Sequence, residues 1–433
     1  MKRNKTSIFL LSVLALAGLS SCSFADAKGF FRDSIYYPLK SIVYKLMGKE
    51  LPKEEEKKDD QKPSGEEGKE EGQEGEGQEG GGQEGGGGEE DTRPEYEKGE
   101  KKAEDGVGLM FSEAVGFNTK DATVFDEDEN TRYVIYASNE TAKGKQVFAA
   151  RRATKSGEEW SYGEKHVIFR GNSNEEAWDQ SIMQPSVIKG EFHLGEETYT
   201  YLMAYQGNED GSNYNNHIGL AVAKDVLGEW TRVGNEPLIE NPELFENSFG
   251  FGSPELISYD EGGKAFLFYS FGETTLSGTR VKTADFSDLD HIQLEAGYAE
   301  LPVTGLLGRD DSITSNAGFA IGDDGKLYYA GDGMPDSNKP GCATSFEVAK
   351  ANLDIIQEFD EEWTSIEKLT SLDTMDDDKL GWDELFSPSF VRDAYGRVDT
   401  SNGNLEVVYS TYDVDVGDAA YTGQLALHVV NLN

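Results

Sequence analysis

Five segments whose first residues are 63, 69, 63 and 71 positions apart open alike: Asp121-Ala-Thr-Val-Phe, Gln184-Pro-Ser-Val-Ile, Ser253-Pro-Glu-Leu-Ile, Asn316-Ala-Gly-Phe-Ala and Ser387-Pro-Ser-Phe-Val. A repeat constrains the fold more than any local propensity does, because each copy is a unit that buries its apolar face only against its neighbours. Each opening is followed by a turn rich in Asp, Gly or Asn. Then comes an aromatic strand: Tyr133-Val-Ile-Tyr-Ala-Ser, Tyr201-Leu-Met-Ala-Tyr, Ala265-Phe-Leu-Phe-Tyr-Ser, Lys326-Leu-Tyr-Tyr-Ala and Leu405-Glu-Val-Val-Tyr-Ser. Period-two patterning bounded by turn residues predicts hairpins. A third strand follows in every unit, as in Ile218-Gly-Leu-Ala-Val-Ala, and Trp160, Trp230 and Trp363 mark a fourth in three of them. Four strands in each of five units, with no helical period between, predict an all-β chain folded as a five-bladed β-propeller over residues 106–433. The fifth unit ends at Leu425-Ala-Leu-His-Val-Val, so Val107 to Val115, upstream of the first unit, is expected to supply its fourth strand and close the ring.

The rest of the chain is a different material. A basic start (Lys2, Arg3, Lys5) and an apolar run from Ile8 to Leu19 form a signal peptide over residues 1–21. The run is shorter than the about 20 apolar residues of a transmembrane helix. Leu19-Ser20-Ser21-Cys22 resembles the bacterial lipobox, which implies cleavage before Cys22 and acylation of its thiol. Residues 22–52 form a membrane-proximal segment in which Phe31, Ile35, Leu39, Ile42, Val43 and Leu46 recur at helical spacing, interrupted by Pro38 and interleaved with Lys40, Lys45 and Lys49. From 53 to 105 the chain is almost entirely Glu, Gly, Gln and Lys, with nothing to bury, and is expected to be a disordered, self-repelling spacer. The expectation is an exported, lipid-anchored monomer at the cell membrane or surface.

A formal charge of −42 argues against nucleic acid or anionic lipid as partners. It permits calcium without requiring it. Asp126-Glu-Asp-Glu-Asn130 and Asp323-Asp-Gly325 lack the spaced ligands of a calcium loop and read as hairpin turns. His166, His193, His217, His291 and His428 lack metal-ligand spacing, so no metal site and no cofactor are expected. Cys22 and Cys342 are the only cysteines; with Cys22 acylated, the mature chain has no disulfide and depends on its core.

The units over about 107–433 resemble the five-bladed propellers of glycoside hydrolase family 43 and the related invertase and levansucrase families. The second unit is clearest: Gln184-Pro-Ser-Val-Ile, Tyr205-Gln-Gly-Asn, Ile218-Gly-Leu-Ala-Val-Ala-Lys-Asp, and Gly228-Glu-Trp230 leading to Pro237-Leu-Ile. The resemblance implies a carbohydrate substrate and carboxylates at inner strand starts that flank a glycosidic bond, one protonated and one ionised. Asp121 stands where the family's first-blade aspartate stands, with Ala122 in place of proline, and is the expected base or nucleophile. Family 43 also carries Asp-Pro in the third blade and Glu at the start of the fourth, where this chain has Ser253-Pro and Asn316-Ala. The invertase pattern carries Arg-Asp-Pro and Glu-Cys-Pro, where this chain has Met183-Gln184-Pro and Gly252-Ser253-Pro.

The proton donor is therefore sought nearby, at Asp179, Glu255 or Asp311. Alternation turns Glu255 to the same side as Ser253, one step deeper. Trp178 and Trp382 precede inner strands beside acids and offer flat faces of the kind a pyranose packs on, with packing between blades as the rival role. Gln184, Ser253, Asn316 and His217 complete the expected substrate-binding set. Two functions remain open: a surface glycosidase, or a propeller without catalysis that binds glycan or mediates adhesion.

Overall fold

The computed structural model describes residues 108–432 apart from 112–116, 142–143, 175, 213, 242–247, 273–276, 307–315, 333–344, 358–360, 371–383 and 413–422. The chain divides into units Met1–Glu90 and Asp91–Asn433, and every described residue belongs to the second. The lipobox, the membrane-proximal segment, the spacer and Cys342 lie outside the described residues.

Among the described residues the strands form five antiparallel groups in a β-propeller. The innermost strands are Lys120–Asp128, Ser181–Leu194, Gly250–Ser258, Gly318–Gly322 and Glu384–Asp393. Each is followed outward by the aromatic strand of its repeat: Thr131–Asn139, Glu197–Asn208, Lys264–Gly272, Lys326–Asp332 and Asn404–Tyr412. Third strands lie outside these, at Gln146–Ser156, His217–Ala223, Ser277–Asp285, Ser345–Asn352 and Gln424–Asn431. Trp160 lies in the outer strand of blade 1, while Trp230 and Trp363 immediately precede those of blades 2 and 4. Of the first acid run, Asp126 to Asp128 end the inner strand of blade 1 and Glu129-Asn130 form its turn; Asp323-Asp-Gly325 is the matching turn of blade 4, where Gly325 has φ +74.

The fourth strand of blade 5 is Gly108–Phe111, paired antiparallel with the third strand through Gly108↔Leu427 and Leu109↔Ala426. The expected closure is present through Gly108–Phe111; the other residues of the expected span, Val107 and 112–115, lie outside the described residues. Phe111 reaches across to blade 1, its ring 5.4 Å from those of Tyr136 and Tyr162. The inner strands of blades 5 and 1 also pair in parallel, Val124↔Val391.

The repeat pattern folds this way because each blade is covered on both faces. Inner strand Gly250–Ser258 is buried at every position, so its side chains need not alternate apolar with polar. Five buried apolar clusters bridge successive blades: Phe125 with Tyr205, Leu202 with Leu267, Phe268 with Phe319, Tyr328 with Phe390, and Val408 with Val134. At the third gap Phe268 and Phe319 stack with centroids 4.6 Å apart. Burying such a ring contributes roughly 2–3 kcal/mol.

Candidate active site on the propeller axis

The five residues that open the repeats share an uncommon backbone conformation. Asp121, Gln184, Ser253, Asn316 and Ser387 have φ of 54, 53, 46, 46 and 49°, in the left-handed region that L-residues avoid at a cost of about 1–2 kcal/mol each. In four blades the register explains it. Between Lys120 and Thr123, Met183 and Ser186, Gly252 and Glu255, and Phe386 and Ser389, two residues stand opposite one, which is a β-bulge. A bulge re-aims the side chain it carries. Here the side chains turn to the axis, and glycine would relieve the backbone only by removing them.

Once aimed inward, these side chains bond to one another. Ser387 Oγ donates to Asp121 Oδ1 at 2.7 Å, and the Ser387 N–H donates to Asp332 Oδ1 at 2.7 Å. Asn316 Nδ2 donates to Asp332 Oδ2 at 2.7 Å, and Asn316 Oδ1 accepts from Gln184 Nε2 at 2.6 Å and Ser253 Oγ at 3.1 Å. Gln184 Oε1 accepts from the Ser253 N–H at 2.9 Å, which Gln206 Oε1 also receives at 3.1 Å. The Asp121 N–H donates to Ser410 Oγ at 2.9 Å, and Lys120 Nζ lies 3.5 Å from Asp121 Oδ2.

This network lines a cavity of about 40 Å³, bounded by the five opening residues together with Glu255, Gly318 and Ser389 one step deeper. At about 15 Å³ per water the described space holds two or three waters, so a sugar ring would rest at its mouth with only an oxygen or a small substituent inside. Ser389 Oγ is buried without a hydrogen-bond partner, as suits a cavity that takes a polar guest. Beneath it lies Arg392, whose side chain is fully buried. Its Nη1 pairs with Glu255 Oε1 and donates to the carbonyls of Leu256 and Phe319, both at 3.2 Å, while Nη2 donates to Thr123 Oγ1 at 3.1 Å. Glu255 Oε1 also accepts from Ser186 Oγ at 2.8 Å. Burial pushes the Glu255 carboxyl above its usual range, and Arg392 and Ser186 oppose that rise.

The structure thus brings Asp121, Glu255, Gln184, Ser253 and Asn316 together and places three other candidates elsewhere. Asp179 is buried outside the cavity, accepting from Tyr205 Oη at 2.8 Å and from Arg232 Nε at 2.6 Å. Trp178 packs within blade 2, stacked on Tyr205 at 5.8 Å and 10°, with Nε1 donating to the Asn235 carbonyl at 3.0 Å. The space it fills exists because Gly207 and Gly219 lack a Cβ, which would come within 2.6 and 2.5 Å of the indole. His217 sits edge-on to Trp178, and its Nδ1 accepts from the Asn241 N–H at 3.0 Å; burial lowers its pKa. Asp311 and Trp382 lie outside the described residues.

Sequence reasoning passed over Asp332, Ser387, Ser389 and Arg392. Ser387 opens the fifth repeat and was open to inference from that alone. Arg392 is a lone cation in the apolar strand Phe390-Val391-Arg392, a pattern that signals a buried charge with a partner.

No protein-family model matches the chain, and no curated protein matches it. Solved structures similar to it include an α-L-arabinofuranosidase from Podospora anserina, at 13% identity over 77% of this chain and 94% of that one, with a TM-score of 0.45. A family 117 glycoside hydrolase from Zobellia galactanivorans is similar at 12% identity over 73% and 86%, with a TM-score of 0.47. A thermostable family-43 glycoside hydrolase is similar at 17% identity over 72% and 89%, with a TM-score of 0.46.

Proposed function

We propose that this chain is a lipid-anchored glycosidase acting on polysaccharide or oligosaccharide outside the cytoplasm, with Asp121 as base or nucleophile and Glu255 as proton donor. The observation that carries the reading is that these two carboxyls face one cavity from unlike settings. Both are buried: Asp121 receives the Ser387 hydroxyl and lies near the Lys120 ammonium group, whereas the Glu255 carboxyl is pushed upward by burial although Arg392 and Ser186 oppose that rise. Two carboxyls in separated environments are what acid–base division of labour needs. Glu255 gives its proton to the glycosidic oxygen as the bond to the anomeric carbon breaks. Asp121 takes the proton of an attacking water, or bonds to that carbon itself, and water completes hydrolysis.

The anchor fits this role: acyl chains on Cys22, residues 22–52 at the interface and a spacer over 53–105 would carry the propeller away from the membrane toward extended polymers. Radiolabelled palmitate should enter the wild type and not Cys22→Ala; equal labelling of both would contradict the anchor.

A second reading, a glycan-binding propeller without turnover, is favoured by one observation. Ser253 and Asn316, where the resembled families carry acids, are bonded to each other and to Gln184. A hydrolysis screen over plant and marine oligosaccharides with wild type and Asp121→Asn separates the two. The enzyme reading expects turnover that falls about 10²–10⁴-fold in the variant. Turnover surviving Asp121→Asn overturns the assignment, and binding without turnover establishes the second reading.

A further inference from the structure

Arg392 makes more contacts on the axis than a strand residue needs for its own blade. From blade 5 it reaches Thr123 of blade 1, the Leu256 carbonyl and Glu255 of blade 3 and the Phe319 carbonyl of blade 4, leaving its Nε without a hydrogen-bond partner. A buried Nε–H left unmatched costs about 1–3 kcal/mol, so the guanidinium is oriented for its other contacts. Arg392 Nη1 and Ser186 Oγ both address Oε1, and Glu255 still lines the cavity.

We propose that Arg392 is the positioning residue of the axial site: with Ser186 it holds Oε1 of Glu255, so that Oε2 is the oxygen presented to a ligand in the cavity. This rests on Glu255 as the proton donor. A carboxyl free to spin would offer either oxygen and lose part of its alignment with the leaving group; one pinned on Oε1 offers a single lone-pair direction. Arg392 also stands beneath the cavity with hydrogen bonds to three other inner strands, so a ligand approaches Glu255 from the side where the inner strands begin. The groups that face Glu255 are Arg392 from blade 5, the neutral Ser186 from blade 2, Asp121 of blade 1 across the cavity, and the uncharged Asn316, Ala317 and Gly318 of blade 4.

The test is the titration of the Glu255 carboxyl itself, followed by carbon NMR on protein labelled at glutamate and assigned by the signal missing from Glu255→Gln. Arg392→Met should raise its midpoint by about one unit or more, because an adjacent cation is lost. Ser186→Ala should raise it by less, and Arg392→Lys, which keeps the charge, should leave it nearer wild type than Arg392→Met does. A role confined to packing would lower stability in Arg392→Met and leave the Glu255 midpoint in place, which overturns the proposal. Should Arg392→Met fail to fold, an unmoved midpoint in Ser186→Ala overturns it equally. A moved midpoint in a protein without turnover sinks the catalytic assignment alone. Turnover with an unmoved midpoint sinks the positioning role alone.

Discussion

Asp332 sets the direction in which the axial hydrogen bonds run, and Asp332→Asn is the sharpest probe of that ring. Its two oxygens accept from the Ser387 N–H and from Asn316 Nδ2, each at 2.7 Å. An asparagine has one acceptor. If its oxygen keeps the Ser387 N–H, which cannot turn, its amide nitrogen faces the amide nitrogen of Asn316. Asn316 can flip, but then its nitrogen faces Gln184 Nε2; Gln184 can flip in turn, and its nitrogen then meets the Ser253 N–H, which is fixed. The mismatch moves along the ring and never leaves it. One lost bond among buried groups costs about 1–3 kcal/mol, and exchanging charged for neutral acceptors costs about 1 more. Removing a buried charge returns part of this, leaving a net loss of about 2 kcal/mol. With a urea m-value of about 3 kcal/mol/M, the midpoint should fall by about 0.7 M at unchanged m. A midpoint within about 0.2 M of wild type would refute a ring of fixed polarity.

Three further outcomes follow from the same geometry. Gly250 has φ +80, and a Cβ there would sit 2.5 Å from the Asn216 carbonyl oxygen, so Gly250→Ala should cost about 3 kcal/mol in chemical unfolding. Burial depresses the pKa of His217, so the unfolded chain takes up that proton first as pH falls through about 6.5. Stability should therefore drop from pH 7 toward the folded-state value, and His217→Asn, which keeps an acceptor for the Asn241 N–H, should drop less between pH 7 and 5.5. Arg232→Ala strands the buried Asp179 carboxylate and should cost about 3 kcal/mol in unfolding, while Asp179→Asn should leave any glycan turnover intact, because the proposed mechanism does not use that pair.

The sequence carried the propeller plainly because the blade is a repeated solution to one packing problem. The same opening, turn and aromatic strand recur wherever an inner strand must be covered on both faces, and the closing strand follows from a unit one strand short. The axial site was only half legible. Asp121 could be placed by repeat phase, whereas the alternation that pointed to Glu255 is interrupted by the bulge between Gly252 and Glu255. The sequence could not tell apart the two roles weighed for Trp178, because an aromatic beside an acid looks alike whether it awaits a sugar or fills a gap. The distinguishing residues, Gly207 and Gly219, belong to other strands of the blade. The bulges were not legible either: left-handed backbone at Gln184 or Ser253 arises from the pairing of two strands and leaves no mark in the composition of one.

The central claim, that carbohydrate is handled at the mouth of the axial cavity, is tested most directly by a crystal structure of Glu255→Gln bound to an oligosaccharide that the wild type cleaves or retains. The account predicts a terminal sugar seated over the ring, within hydrogen-bond reach of Asp121 and of the amide at position 255. A sugar bound on the face of Trp178 and His217, or on an outer blade edge with the axial cavity empty, would contradict it.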